Sequence, residues 1–144
     1  MPAKGGPGTP LRILLAEDNE MNLKVMQAFL SRPGFSTAVA MDGAAAVEAV
    51  AGGAFDVVLM DLRMPGVDGF EAARRIRALS GPQRGVRIIA LSADVTGDVV
   101  RRCREAGMDD YLAKPVRLAV LDDRLAAIPR RAAAGGPDLE AQRA

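Results

Sequence analysis

The chain has 144 residues, 49% of them hydrophobic and 26% charged, with 19 Lys and Arg against 18 Asp and Glu, no histidine and one cysteine. That is one domain of ordinary size with material for a real core. The absence of histidine removes a histidine base, a Ser-His-Asp site, histidine-bearing zinc sites and any role as a phosphohistidine donor. A lone cysteine, Cys103, excludes an internal disulfide, and a net charge of +1 offers no footprint for nucleic acid or an anionic membrane.

In chain order, residues 1–10 and 129–144 are rich in Gly, Pro and Ala and read as flexible tails around a domain at 11–128. No apolar run approaches the roughly 20 residues that cross a bilayer, so a cytoplasmic protein without membrane insertion is expected. Five short apolar runs follow: LRILLA from Leu11, FSTAVA from Phe35, FDVVLM from Phe55, VRIIAL from Val86 and DYLA from Asp110. Near-continuous apolar runs are typical of strands covered on both faces. Between them lie helical stripes. Met21, Val25 and Phe29 with Met26 and Leu30 mark the first helix, and alanine-rich 43–51 the second. Phe70, Ala73 and Ile76 mark the third, Val99, Val100 and Cys103 the fourth, and Leu118, Leu121, Leu125 and Ile128 the fifth. Asp68 and Glu71 suggest a capping box, and Gly107 a helix end. Strand–helix alternation predicts an α/β fold with a doubly wound parallel sheet, whose ligands bind beyond the carboxyl ends of the strands.

Those ends carry Glu17-Asp18 after the first strand, Asp61 after the third, Ser92 after the fourth and Lys114 after the fifth. Three converging carboxylates repel unless a cation joins them, and a hard oxygen set suits Mg²⁺ or Mn²⁺. With one such ion and a protonated Lys114 the formal charges cancel, leaving a pocket that can accept a phosphoryl group while a carboxylate attacks.

Taken together, AEDNEMN, DLRMPGVDG, ALSA and YLAKP at successive strand ends resemble the receiver domain of two-component response regulators, over about residues 11–128. The resemblance implies a flavodoxin-like strand order of 2-1-3-4-5 with five helices. It implies a signalling phosphoacceptor, catalysing only its own phosphorylation and dephosphorylation, with Asp61 phosphorylated from a phosphohistidine on a sensor histidine kinase or a histidine phosphotransfer protein. Asp18, Asp61 and the Arg63 backbone carbonyl would hold Mg²⁺, with Glu17 binding directly or through water. Lys114 and Ser92 would contact the phosphoryl oxygens, Tyr111 would be the switch aromatic, and the Lys114–Pro115 bond would be cis. Output would lie on the face of the fourth helix, fifth strand and fifth helix, where Arg101, Arg102 and Arg104 form a basic strip suited to an acidic partner. A phosphorylation-dependent dimer stays open, and direct DNA binding is not expected.

Three features qualify the match. Glu17 stands where Asp is more usual, and Arg63 and Asp94 are placed to form an ion pair across the pocket mouth. Cys103, on an apolar stripe, is expected to be buried and inert. A phosphorylation-independent pseudo-receiver is the main alternative. A flavodoxin-like cofactor binder conflicts with Glu17-Asp18, which would repel a cofactor phosphate, and a haloacid-dehalogenase-type phosphatase needs Asp where Arg63 stands.

Overall fold

A computed structural model describes residues 9–130. The elements are β1 (Leu11–Ala16), α1 (Glu20–Leu30), β2 (Phe35–Ala40), α2 (Gly43–Gly52), β3 (Val57–Asp61), α3 (Gly69–Arg77), β4 (Arg87–Ser92), α4 (Gly97–Glu105), β5 (Asp110–Ala113) and α5 (Leu118–Ala126), with a short 3-10 helix at Pro82–Gly85. All five strands are parallel, in the order β2-β1-β3-β4-β5. The two expected tails fall largely outside the described residues.

The continuous apolar runs divide by the period of two that every strand imposes. In β1, Leu14 and Ala16 face one layer while Leu11, Ile13 and Leu15 face the other. The first layer joins Val58, Met60, Ile88 and Ala90 to Ala46 and Val50 of α2, Phe70, Ala73 and Ile76 of α3 and Cys103 of α4. The second joins Leu59 and Leu91 to Met26 and Leu30 of α1 and Leu121, Leu125 and Ile128 near α5. Burial on both faces is why β1, β3 and β4 lack polar alternation, whereas β2 at the sheet edge leaves residues 36–39 exposed.

Side-chain caps begin four helices: Asn19 for α1, Asp42 for α2, Asp68 for α3 and Thr96 for α4. Asp42 accepts from the Ala45 amide at 2.8 Å, so α2 has a specific start besides alanine propensity. Gly107 ends α4 with φ at +95°, a conformation that costs glycine nothing.

Several expectations need correction. Met21 and Val25 are exposed, because at about 100° per residue they fall off the arc that Met26 and Leu30 present to the sheet. Leu118 is likewise exposed in the first turn of α5. The capping box is half formed: the Glu71 amide donates to Asp68, but the Glu71 carboxylate turns outward to Arg74 and Arg75. β3 starts at Val57, two residues later than expected, because the Asp56 side chain accepts from the Arg12 amide at 2.7 Å. β4 runs Arg87–Ser92, shifted one residue toward the C-terminus from the expected run, which carries Ser92 into the sheet.

Candidate phosphoryl-acceptor and metal site

Register sets the site before any side chain is considered. Ala16 pairs with Met60, Asp61 with Leu91 and Ser92 with Ala113, so the carboxyl ends of β1, β3, β4 and β5 finish level. The Leu62 amide donates to the Leu91 carbonyl and the Lys114 amide to the Ser92 carbonyl, which continues the ladder one residue past the strands. Glu17, Asp18, Asp61, Ser92 and Lys114 are thereby brought to one place, as expected. Asp18, Asp61, Arg63, Ser92 and Lys114 line an open cleft of about 730 Å³.

Glu17 is fully buried, and Asp61 is only 4% exposed. One Asp61 oxygen accepts from the Arg63 amide at 3.0 Å; the other lies 3.1 Å from Lys114 Nζ. Lys114 Nζ also donates to Glu17 Oε1 at 3.2 Å, and Glu17 Oε2 accepts from the Asn19 amide at 3.1 Å. One cation therefore bridges two buried acids, with Asp18 beside them less buried. Carboxylate oxygens of Glu17, Asp18 and Asp61 lie within 4.8 Å of one another. Three carboxylates against one ammonium leave the cluster short of positive charge, and a hard divalent ion fits that deficit.

Glu17 registers the deficit. Burial, then the neighbouring Asp61 carboxylate, push its carboxyl above the ordinary glutamate value of 4.5, against the opposing pull of the Asn19 amide and Lys114. A raised value means that the stability tied to protonated Glu17 is present below pH 4.5 and is lost as pH rises through the raised value. At neutral pH and without metal, the buried Glu17 carboxyl therefore opposes folding. Glu17→Gln is expected to raise the metal-free melting temperature at pH 7 by several degrees, on the order of 1 kcal/mol for a removed buried charge. The gain should shrink toward pH 4.5 and under saturating Mg²⁺; calorimetry across pH that finds a constant difference would refute this account.

Gly69 closes the DLRMPGVDG stretch, and its role emerges only from packing. A Cβ there would sit 2.5 Å from the Asp61 carbonyl oxygen and 2.9 Å from Leu62 Cα, so only glycine lets α3 start against the end of β3. The backbone of two elements must yield to any side chain, and Gly69→Ala is expected to cost about 1–3 kcal/mol, as other overpacking does. Denaturant unfolding that gives wild-type stability would show that the contact relaxes freely.

The remaining expected site residues occupy the following places. Ser92 lies at the cleft floor, and the Lys114–Pro115 bond is cis. Tyr111 is exposed on β5 and does not line the cleft. Arg63 borders the cleft, but the expected ion pair with Asp94 is absent. Asp94 instead accepts from the Thr96 amide at 3.0 Å, within its own loop. The basic strip is partly engaged: Arg101 pairs with Asp98 and the Arg102 guanidinium lies 4.1 Å over the Phe70 ring. Cys103 is buried, which pushes its thiol upward and keeps it protonated.

A doubly wound sheet of this order, with an acidic cleft and a lysine at its carboxyl edge, defines a class of small signalling domains. The chain belongs to the response regulator receiver domain family, whose model matches residues 13–126. It is 42% identical over 111 residues to the peroxide stress-activated histidine kinase mak1 of Schizosaccharomyces pombe, covering 74% of this chain and 7% of that protein. It is also 36% identical over 117 residues to the sensory/regulatory protein RpfC of Xanthomonas campestris, covering 81% of this chain and 16% of that protein. The chain thus spans about a sixth or less of these curated relatives. Among solved structures, it matches the receiver domain of a sensor histidine kinase from Pseudomonas aeruginosa, with magnesium coordinated in the active-site cleft. That match has a TM-score of 0.75 and 41% identity, and covers 81% of this chain and 95% of that one. The receiver domain of the Saccharomyces cerevisiae response regulator Ssk1, solved with the histidine phosphotransfer protein Ypd1, matches with a TM-score of 0.73 and 30% identity, covering 81% and 87%. Among the described residues, no helix is long and apolar enough to cross a membrane.

Proposed function

We propose that Asp61 is the phosphoacceptor of this receiver domain, taking its phosphoryl group from a phosphohistidine on a histidine kinase or phosphotransfer protein. The observation that carries this reading is the state of the Asp61 carboxylate. It is buried and ionically paired, with one oxygen fixed by the Arg63 amide and the other on Lys114, yet it opens onto the cleft. In the transfer, an Asp61 oxygen forms a bond to phosphorus while the phosphorus–nitrogen bond breaks and its electron pair leaves with the imidazole. Lys114 is already in contact with Asp61 and follows the charge onto the phosphoryl oxygens; Ser92 offers a hydroxyl proton to one of them.

Asp18, Asp61 and the Arg63 carbonyl would hold the divalent ion, with Glu17 directly or through water. That ion, Mg²⁺ or Mn²⁺, would offset the phosphoryl charge. The magnesium in the Pseudomonas relative and the phosphotransfer partner of the yeast relative support this assignment. Exposed Tyr111 would be the switch ring in an outward position, and its exposure together with that of Arg104 and Leu118 supports an output surface on α4, β5 and α5 of a cytoplasmic protein. A cofactor binder is disfavoured because acids occupy the loop after β1.

The test is intact mass after incubation with phosphoramidate, with and without Mg²⁺. A metal-dependent phosphoryl adduct supports the proposal. An unmodified chain would assign the domain to the phosphorylation-independent pseudo-receivers.

A further inference from the structure

The start of α2 backs onto the cleft at a point where no side chain fits. A Cβ on Gly43, the first residue of α2, would run into the Val67 carbonyl oxygen and lie 2.8 Å from the carbonyl carbon. Gly43 has no left-handed φ that would itself require glycine, so the missing side chain serves the contact alone. What it touches is the loop that joins Asp61 to α3.

That loop has little room to retreat. Beyond Val67 stands Gly69, whose own Cβ would sit 2.5 Å from the Asp61 carbonyl oxygen, so pushing Val67 toward α3 presses on Asp61 itself. Toward β3 the loop is pinned by buried Leu62 and Met64, and the Leu62 amide and carbonyl are both bonded, to Leu91 and Gly69, at 3.1 Å. Only exposed Gly66, with φ at +72°, offers slack. Within the same loop the Arg63 amide fixes one Asp61 oxygen at 3.0 Å. The start of α2 is tied in turn to the other buried acid, because the Ala40 carbonyl at the end of β2 accepts from the Glu17 amide at 3.1 Å. Asp42 then caps α2 through the Ala45 amide at 2.8 Å, and its carbonyl takes the Ala46 amide at 3.0 Å. The corner between β2 and α2 thus reaches Glu17 on one side and, through Val67 and Gly69, Asp61 on the other.

We propose that Gly43 is a positioning residue for the cleft: its bare Cα lets the start of α2 act as a backstop for the 62–68 loop, which sets where Asp61 and the Arg63 carbonyl stand relative to Glu17. The chemical consequence rests on the phosphoacceptor reading; the contact itself does not. A side chain at 43 forces the loop away, and a displacement of about 1 Å at reacting groups costs on the order of 100-fold in rate. Coupling through a shared loop is reciprocal, so an ion held in the cleft steadies α2 in return.

The test compares Gly43→Ala with Gly52→Ala, the same change at the far end of α2, where a Cβ meets nothing within 4 Å. Gly43→Ala should bind Mg²⁺ about 10-fold more weakly by titration calorimetry, and phosphoramidate at saturating Mg²⁺ should label it about 10- to 100-fold more slowly. Amide hydrogen exchange at Leu62 and Arg63 should speed about 3- to 10-fold, the range of one weakened hydrogen bond, while Gly52→Ala matches wild type throughout. Asp42→Ala, which frees the start of α2 without adding bulk, should move the same readouts in the same direction, and Asp42→Asn, which keeps a capping oxygen, should restore them. In wild type, Mg²⁺ should slow exchange at Ala45 and Ala46. A Gly43→Ala protein that melts lower yet matches wild type in Mg²⁺ affinity, labelling and Arg63 exchange would make Gly43 a packing residue only and overturn the backstop. If Gly43→Ala does not fold, wild-type exchange at Arg63 in Asp42→Ala overturns it, as do α2 amides that ignore bound Mg²⁺. If wild type takes up neither Mg²⁺ nor a phosphoryl group but Gly43→Ala or Asp42→Ala still loosens Arg63, the backstop stands and the phosphoacceptor reading fails.

Discussion

Asp61→Asn is expected to abolish the gain of about 80 Da that phosphoramidate and Mg²⁺ give the wild-type chain, the mass of one phosphoryl group. The amide keeps the shape and can still accept from the Arg63 amide, so the fold is retained. It supplies no anionic oxygen to attack phosphorus, and it removes one of three acids from the metal cluster. It also takes a buried charge out of the site, so the metal-free variant should melt no lower than wild type. An adduct that persists in Asp61→Asn would move the acceptor to another residue. Asp18 and Glu17 are the nearest carboxylates, and fragmentation of the labelled chain would separate them.

Lys114→Ala carries the second large effect, and it splits three readouts. Among the described residues, Lys114 is the one ammonium within contact of both Glu17 and Asp61, at 3.2 and 3.1 Å. Its loss removes the fixed positive charge that meets the transferring phosphoryl group, and the labelling rate should fall roughly 100-fold, as when other preorganised stabilisers are deleted. The two buried carboxylates lose their shared partner, so metal-free stability should drop by about 3 kcal/mol, the low end for broken buried pairs, because Lys114 keeps some solvent contact. Mg²⁺ affinity should rise, since the ammonium no longer competes for the same oxygens. Lys114→Arg should recover little of the rate, because a planar fork does not replace a compact point charge between two carboxylates. Lys114→Ala labelling within threefold of wild type would place the transfer charge elsewhere; titration calorimetry and denaturant unfolding read the other two effects.

Much of the fold was legible before any coordinates. Strands covered on both faces must be apolar throughout, so LRILLA, FDVVLM and VRIIAL announced a parallel sheet. The ligand-siting rule for such sheets then singled out Glu17, Asp18, Asp61, Ser92 and Lys114, and the structure brings all five together. Patterns that depend on a partner element were less legible. Met21 and Val25 look like core until α1 is docked on Met26 and Leu30. Glu71 looks like a capping partner until Arg74 and Arg75 compete for it.

What the sequence determined by itself is the chemistry available. With no histidine among these 144 residues, a phosphohistidine that reacts at the cleft has to lie outside them, and acids and a lysine at strand ends are what the sequence offers to meet it. What only the tertiary structure decided is how those groups are spent. Lys114 bridges Glu17 and Asp61 at once, Asp94 pairs with Thr96 and not with Arg63, and the Ser92 proton is committed to the loop that starts α4. Spacing along the chain cannot settle these choices. Each is a competition between alternative partners for one proton or one charge, and distances set by the strand register and the loop backbone decide which partner wins.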